Sequence, residues 1–376
     1  MIINIASSHR FHLLDLAREL SKQGHDVRFY SYVPTKRCVK FGMKNDQCTC
    51  LLPYLLPFLV LEKLFPNSSW HRKWRDRTMD FIVGHFMRRC DVYIALGTVY
   101  LDSLVQAKKR FGATTIIEWG SKHIDEQQRI LASVHAQLNK EYFNERSRKA
   151  YDIADYIAVA SNHVVDSFLK HGYSEAKLFK NPYGVDLSDF YPIKDSEKEY
   201  DVIMVGGWSY RKGCDLIVDA IKQTNYKFLH VGSIVDMQFP QNDSQFIHVD
   251  AVNQKELVKY YNKAKVFVLP SREEGLAMVQ AQAVACNLPL IGSYDSGAED
   301  LKVRIKNPEY ITLITEYSVE AVRNALDEAM NNYNHMTTDN YAGNMADLLS
   351  WKAYGERYAE FLNHNVPLDM ENNKKL

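Results

Sequence analysis

Short apolar runs alternate with amphipathic helical stretches along nearly the whole chain, and this alternation restricts the fold more than any other feature of the sequence. Ile2 to Ala6 reads as a strand. Phe11 to Gln23 then sets Phe11, Leu14, Leu16, Ala17 and Leu20 on one side of a helix that Gly24 ends. Further strands are expected at Asp26 to Ser31, Val92 to Leu96, Thr114 to Glu118 and Tyr156 to Ala160. A polar run from Pro192 to Tyr200 reads as a linker. The pattern then restarts, with strands at Val202 to Val205, Lys227 to Val231, Val266 to Leu269 and Pro289 to Ile291. Strands separated by helices need crossover connections, which produce parallel sheets covered on both faces. A length of 376 residues suits two such units, each burying its own core. The expected fold class is therefore α/β, with Rossmann-like domains over 1–192 and 201–347 facing one cleft.

Composition removes several alternatives. The 46 basic and 46 acidic side chains balance, so no domain-wide basic stripe marks a nucleic-acid partner. Six cysteines at irregular spacing form no disulfide framework, and Cys48 and Cys50 lack a second pair for a zinc site. Reduced thiols point to the cytosol. Met1 to Ala6 lacks a basic flank and a long apolar stretch, so it reads as the first strand and not as a signal peptide.

One segment departs from the alternation. Leu51 to Phe65 is strongly apolar and is followed at once by the basic, aromatic stretch Trp70 to Arg77. Pro53, Pro57 and Glu62 interrupt it, and it is too short to span a bilayer. Two readings stay open: a peripheral contact with a membrane interface, at the inner face of the cell membrane, or a buried helix and loop of the first domain.

The chemistry concentrates after Leu269. A strand ends there, a loop follows carrying Glu273 and Glu274, and a helix is expected to begin near Gly275. In open α/β sheets ligands sit outside the carboxyl ends of strands. A helix N-terminus at such a place offers free N–H groups to a phosphate. Gly275 lets backbone approach a ligand closely. Glu274 stands where it can accept hydrogen bonds from sugar hydroxyls, and Gln282 follows at a spacing of two helical turns.

These residues resemble the E-x₇-E segment of family 4 glycosyltransferases, standing here as E-G-L-A-M-V-Q-A-Q-A-V-A-C-N-L-P-L-I from Glu274. Other segments extend the resemblance over nearly the whole chain. The stretch from Asn181 to Pro192 is similar to N-P-Y-G-V-D-x-x-x-F-x-P, and Val205 to Gly213 is similar to V-G-R-(x)₄-K-G. Asp295 to Asp300 resembles G-G-x-x-E, and Trp351 to Glu356 resembles the family's closing helix. In the first half, Arg10 to Ala17 and Gly120 to Gln127 resemble a subgroup that makes bacterial surface polysaccharides.

The resemblance implies a GT-B architecture whose last helix, about 348–376, crosses back to the first domain. It also implies retaining transfer from a nucleoside diphosphate sugar, without a metal or other cofactor, to a glycan or polyprenol-linked acceptor. Lys212 matches the lysine on the donor diphosphate, with Arg211 beside it. Glu274 matches the glutamate on the donor sugar, with Gly275, Leu276 and Ala277 alongside, and Gln282 matches the residue on ribose. His123, expected to face the cleft, would bond the transferred sugar; Glu299 and His12 complete the expected substrate set. Two positions depart from the family. Gly207 stands where it has an arginine, and Gln282 where it has its second glutamate, although an amide still bonds hydroxyls. Those departures sustain a rival expectation, a catalytically idle relative that holds nucleotide or glycan as a scaffold.

Overall fold

The computed structural model describes residues 1–65, 70–134, 136, 138–186, 188–337 and 340–367. Seven strands form the first sheet: β1 (Ile2–Ala6), β2 (Asp26–Ser31), β3 (Cys48–Cys50), β4 (Val92–Leu96), β5 (Thr114–Trp119), β6 (Tyr156–Val159) and β7 (Leu178–Lys180). Their order is β3-β2-β1-β4-β5-β6-β7, and every pairing is parallel. Six strands form the second: β8 (Tyr200–Val205), β9 (Phe228–Val231), β10 (Phe246–Val249), β11 (Ala264–Leu269), β12 (Leu290–Ser293) and β13 (Ile311–Ile314). This sheet is also parallel, ordered β10-β9-β8-β11-β12-β13.

In both sheets the order reverses beside the first strand, between β1 and β4 and between β8 and β11. Loops that leave neighbouring strands at such a point diverge to opposite faces and open a crevice. The central strands are buried on both faces, Ile3, Asn4 and Ile5 in β1 and Val266, Phe267 and Val268 in β11 being fully inaccessible. This burial explains why they read as continuous apolar runs and not as alternating ones.

The last described helix, Trp351–Asn365, returns to the first domain. Tyr354, Tyr358 and Leu362 enter the same core cluster as Leu13, Leu16 and Leu20. Gly355 permits the crossing, since a Cβ there would lie 2.4 Å from Glu19 Cβ. Arg357 then bonds Asn181 Oδ1 and the Pro182 carbonyl, fastening the helix to the segment that leads into the linker.

Candidate active site

Two loops of the second domain build the charged part of the cleft. Ser209 to Gly213 follows β8, and 270–277 follows β11. Gly213 has φ 71°, and a Cβ on it would stand 2.3 Å from the Pro270 carbonyl oxygen, so the two loops touch through glycine backbone. Arg272 fastens them. Its N–H donates to the Arg211 carbonyl at 2.9 Å, and its guanidinium reaches the Tyr210 carbonyl at 2.7 Å and Asp215 at 2.6 and 2.7 Å.

On this support Lys212 and Arg211 converge on one carboxylate. The Lys212 amine is in direct contact with Glu274 Oε2. Arg211 Nη1 lies 3.3 Å from the same oxygen and donates to the Glu273 carbonyl at 2.9 Å. Burial, and then the Arg211 charge, pull the Lys212 ammonium well below the ordinary lysine range, to about 7. The site therefore holds Lys212 and Arg211 close together, with Glu274 against both and the buried Glu273 carboxylate 3.5 Å from Arg211.

The first domain contributes mainly by holding the second. Glu273 is fully buried; its carboxylate takes the Ser121 hydroxyl, the Lys122 N–H at 3.3 Å and the Gln127 amide at 3.2 Å. His163 Nε2–H donates to the Glu274 carbonyl at 2.9 Å, and Ser161 Oγ to the Gly275 carbonyl at 2.7 Å. Because a carbonyl only accepts, the His163 proton sits on Nε2. Burial, then the Lys122 charge, lower His163 to about 4, so it stays neutral. Lys122 Nζ pairs with Asp295 at 2.5 Å across the same seam.

Two openings flank this knot. A cavity of about 370 Å³ between the domains is lined by Lys122, Arg129, Arg272, Asp295 and Tyr317. Another of about 200 Å³, at the ends of β8, β9 and β10, is lined by Gly206, Gly207, Gly232, Val252 and Leu257. A Cβ on Gly207 would meet Val235 Cγ2 at 2.9 Å, so that wall is crowded where the family carries its arginine.

The other sequence-predicted positions lie as follows. His123 does not face the cleft. It is the N-cap of helix Ile124–Ser133, its Nδ1 accepts from the Asp125 N–H at 3.3 Å, and it is only 3% exposed. Its ring stacks on His171 at 4.0 Å and packs on Tyr151, Phe168 and Tyr173. A capping side chain folds back onto its own helix, which turned it inward. His12 is held by Glu118: its Nε2 lies 3.0 Å from one carboxylate oxygen, and the other takes the Tyr354 hydroxyl. The helix expected at Gly275 begins at Met278 instead, as Met278–Ala285, so Glu274 and Gln282 do not share a helix face. Gln282 is half-buried, and its oxygen accepts from Tyr261 at 3.2 Å. Leu276 packs against the first domain's core and Ala277 against the second's, and both line a small gap with Pro182 and Tyr183. Glu299 is half-exposed in the first turn of helix Ala298–Lys302.

Glu273, His163 and Ser161 were not anticipated. The doubled carboxylate at 273 and 274 was visible, but nothing in the sequence says which of the two is buried. His123, Asp125 and His171 bring ligand atoms within 4.8 Å of one another. The two rings are nearly parallel, at 17°, and Asp125 is gripped by Arg148, so their lone pairs do not converge on one point.

Comparison with known proteins agrees with this geometry. The family described as "Glycosyl transferases group 1" matches residues 189–345, which hold the Lys212–Glu274 knot. The matched residues span all six strands of the second sheet. An uncharacterized glycosyltransferase of Methanocaldococcus jannaschii is 27% identical over 160 residues, 40% of this chain and 43% of that protein. One polypeptide of the phosphatidylinositol N-acetylglucosaminyltransferase of Arabidopsis thaliana is 20% identical over 55% of this chain and 48% of its own. The chain thus spans under half the length of these relatives. Over nearly the full length, sucrose-phosphate synthase from Thermosynechococcus elongatus superposes with a TM-score of 0.67 at 17% identity, covering 97% of this chain and 98% of that one. HepE from Anabaena, solved with UDP and glucose, gives 0.65 at 13% identity, covering 96% and 99%. The fold is GT-B, with two Rossmann-like domains around one cleft.

Proposed function

We propose that this protein transfers a sugar from a nucleoside diphosphate donor to a hydroxyl of a glycan acceptor, with retention at the anomeric carbon. The observation that carries the reading is the convergence of Lys212 and Arg211 on Glu274 at the switch point of the second sheet. An incoming diphosphate replaces the Glu274 carboxylate beside the two cations and releases it to accept hydrogen bonds from sugar hydroxyls. As the bond from anomeric carbon to phosphate oxygen breaks, charge grows on that oxygen where the cations already stand. The new bond to the acceptor oxygen forms on the same face, and the acceptor proton passes to the departing phosphate. The pair of cations supplies the positive potential, so the reading needs no metal. The glycine-floored cavity beside β8, β9 and β10 suits the nucleoside, and the relative solved with UDP makes a uridine diphosphate sugar the first donor to try.

The acceptor in this reading is a growing cell-surface glycan on a lipid carrier, met by an enzyme working at the cytoplasmic side of the membrane. A second reading rests on the crowding at Gly207 and the engagement of Gln282 by Tyr261: a relative that binds nucleotide without turnover. A screen of UDP-, GDP- and ADP-sugars for slow donor hydrolysis by the purified protein separates the two. Hydrolysis of one donor, persisting in chelator, supports the transferase. Calorimetric binding of a nucleotide with no hydrolysis of any donor selects the scaffold.

A further inference from the structure

The segment that broke the strand–helix alternation folds as two packed helices on the first domain, Leu52–Leu64 and Trp70–Phe86. Their inner faces are core: Leu55, Met79 and Val83 are at most 1% exposed. The buried-helix expectation is therefore right for these residues. Their outer faces carry the opposite pattern. Leu56, Val60 and Leu64 follow one another at single-turn spacing and are 53%, 48% and 65% exposed. On the second helix Trp70, Trp74 and Phe81 are 50%, 51% and 52% exposed, again on one side. A contiguous apolar face of this kind is uncommon on a protein that meets only water.

The charges on these helices are sorted by sign. The acidic side chains are paired: Glu62, half-buried, with Arg75 at 2.5 Å and Arg72 at 3.7 Å, Asp76 with Arg75 at 3.0 Å, and Asp80, fully buried, with Arg146 at 2.6 Å. The exposed charges among the described residues of both helices are Lys63, Arg72 and Arg77, all positive. Exposed tryptophans and leucines rimmed by cations match an anionic lipid surface, where aromatic rings sit at the headgroup level. Neither helix is long and apolar enough to cross a bilayer, so the surface is one that lies on it.

The same helices connect to the cleft. Helix Leu52–Leu64 starts just beyond the carboxyl end of β3, the end that faces the second domain. Glu62 holds Arg75, Arg75 lies over the Tyr32 ring, and the Tyr32 hydroxyl is 2.9 Å from His9 Nδ1 in the loop after β1. Phe11, the first residue of the helix Phe11–Lys22 that follows, is 49% exposed.

We propose that the outer face of helices Leu52–Leu64 and Trp70–Phe86 seats the protein on an anionic bilayer and brings a lipid-carried acceptor to the cleft past His9 and Phe11. The proposal rests on the glycosyltransferase reading, and its test keeps the two apart. Wild-type protein is sedimented with vesicles of phosphatidylglycerol and phosphatidylcholine, and with phosphatidylcholine alone, while donor hydrolysis is read on the same samples. The wild type should pellet with the anionic vesicles and come off as salt is raised. Replacing Leu56, Val60, Trp70 and Trp74 with Ser should abolish pelleting with melting temperature and donor hydrolysis unchanged. Arg72→Gln with Arg77→Gln, which leaves the apolar face intact, should weaken partitioning about 30-fold. Wild-type protein that stays in the supernatant with anionic vesicles overturns the proposal, as does a fourfold variant that pellets like wild type. A dimer in ultracentrifugation that the fourfold variant dissolves gives the face to a second copy and also overturns it. Hydrolysis without vesicle binding removes this proposal alone; vesicle binding without hydrolysis of any donor removes the transferase reading.

Discussion

The two domains share one architecture but use the polar residues at their strand ends in opposite ways. In the second domain Arg211, Lys212 and Glu274 stay in the cleft and face one another. In the first, His12 is held by Glu118 and His123 turns into an aromatic cluster. Of the first-domain groups that reach the second domain, Ser121, Ser161 and His163 bind its backbone and Glu273, and Lys122 pairs with Asp295. The second domain thus carries the Lys212–Glu274 knot, and the first fixes where that knot stands. Preorganised charge is worth most when it need not rearrange during the reaction, so the division has a catalytic rationale.

The largest effect should come from the charged side. Lys212→Ala removes a preorganised cation from the diphosphate position, and losing one such group costs about 10²–10³ in rate. Arg211 remains beside Glu274, so the fold should survive with its melting temperature little changed. Transfer or donor hydrolysis at the wild-type rate would show that the second domain does not carry the phosphate site.

The holding side should give the next largest effect. Gly275 lies so near the first domain that an added Cβ would stand 2.2 Å from the Gly120 carbonyl oxygen. Gly275→Ala therefore pushes the domains apart without altering a charged group. A displacement on the order of 1 Å at a reacting centre costs roughly 100-fold in rate. Nucleotide affinity should hold, because every group assigned to the diphosphate belongs to the second domain. Small-angle scattering should show the molecule expanded. Equal losses in nucleotide affinity and rate would mean that the glycine serves the ligand directly and not the domain contact.

The comparison also marks what could be read in advance. The two domains and nine of the strands were legible because buried parallel strands are long apolar runs. The rest were β3, β7, β10 and β13, the edge strands of the two sheets, which have a neighbour on one side only. Lys212, Arg211 and Glu274 were singled out through the resemblance of their two segments to family 4 glycosyltransferases, and the structure brings these three side chains together. The orientation of the first-domain histidines was not legible. Whether His123 points out or caps its helix depends on one χ1 angle and on partners such as His171 and Tyr173, which are distant in sequence. Glu273 and Glu274 are chemical twins, and only the arrival of Ser121 and Gln127 from the other domain distinguishes them.

The smallest effect tests the inward histidine directly. Burial, then the His171 charge, lower His123 to about 4 from an unperturbed 6.5. His163 and His230 are also lowered to about 4, chiefly by burial. A histidine depressed in the folded state is neutral there while the unfolded chain takes up a proton. Its stabilising contribution is thus fully present above about pH 6.5 and is lost as the pH falls towards about 4. One such shift is worth up to about 3 kcal/mol at the acid end. His123→Phe keeps an aromatic ring in the stack with His171 and gives up the cap, which costs about 1 kcal/mol near neutrality. Sugar transfer should stay close to the wild-type rate, unlike Lys212→Ala, because the ring touches nothing in the cleft. Urea midpoints measured near pH 7 and near pH 4.5 should show the variant losing less stability on acidification than the wild type, since one of the depressed histidines is gone. The same acid loss in both proteins, with transfer abolished, would return His123 to the cleft and erase the difference between the two domain faces.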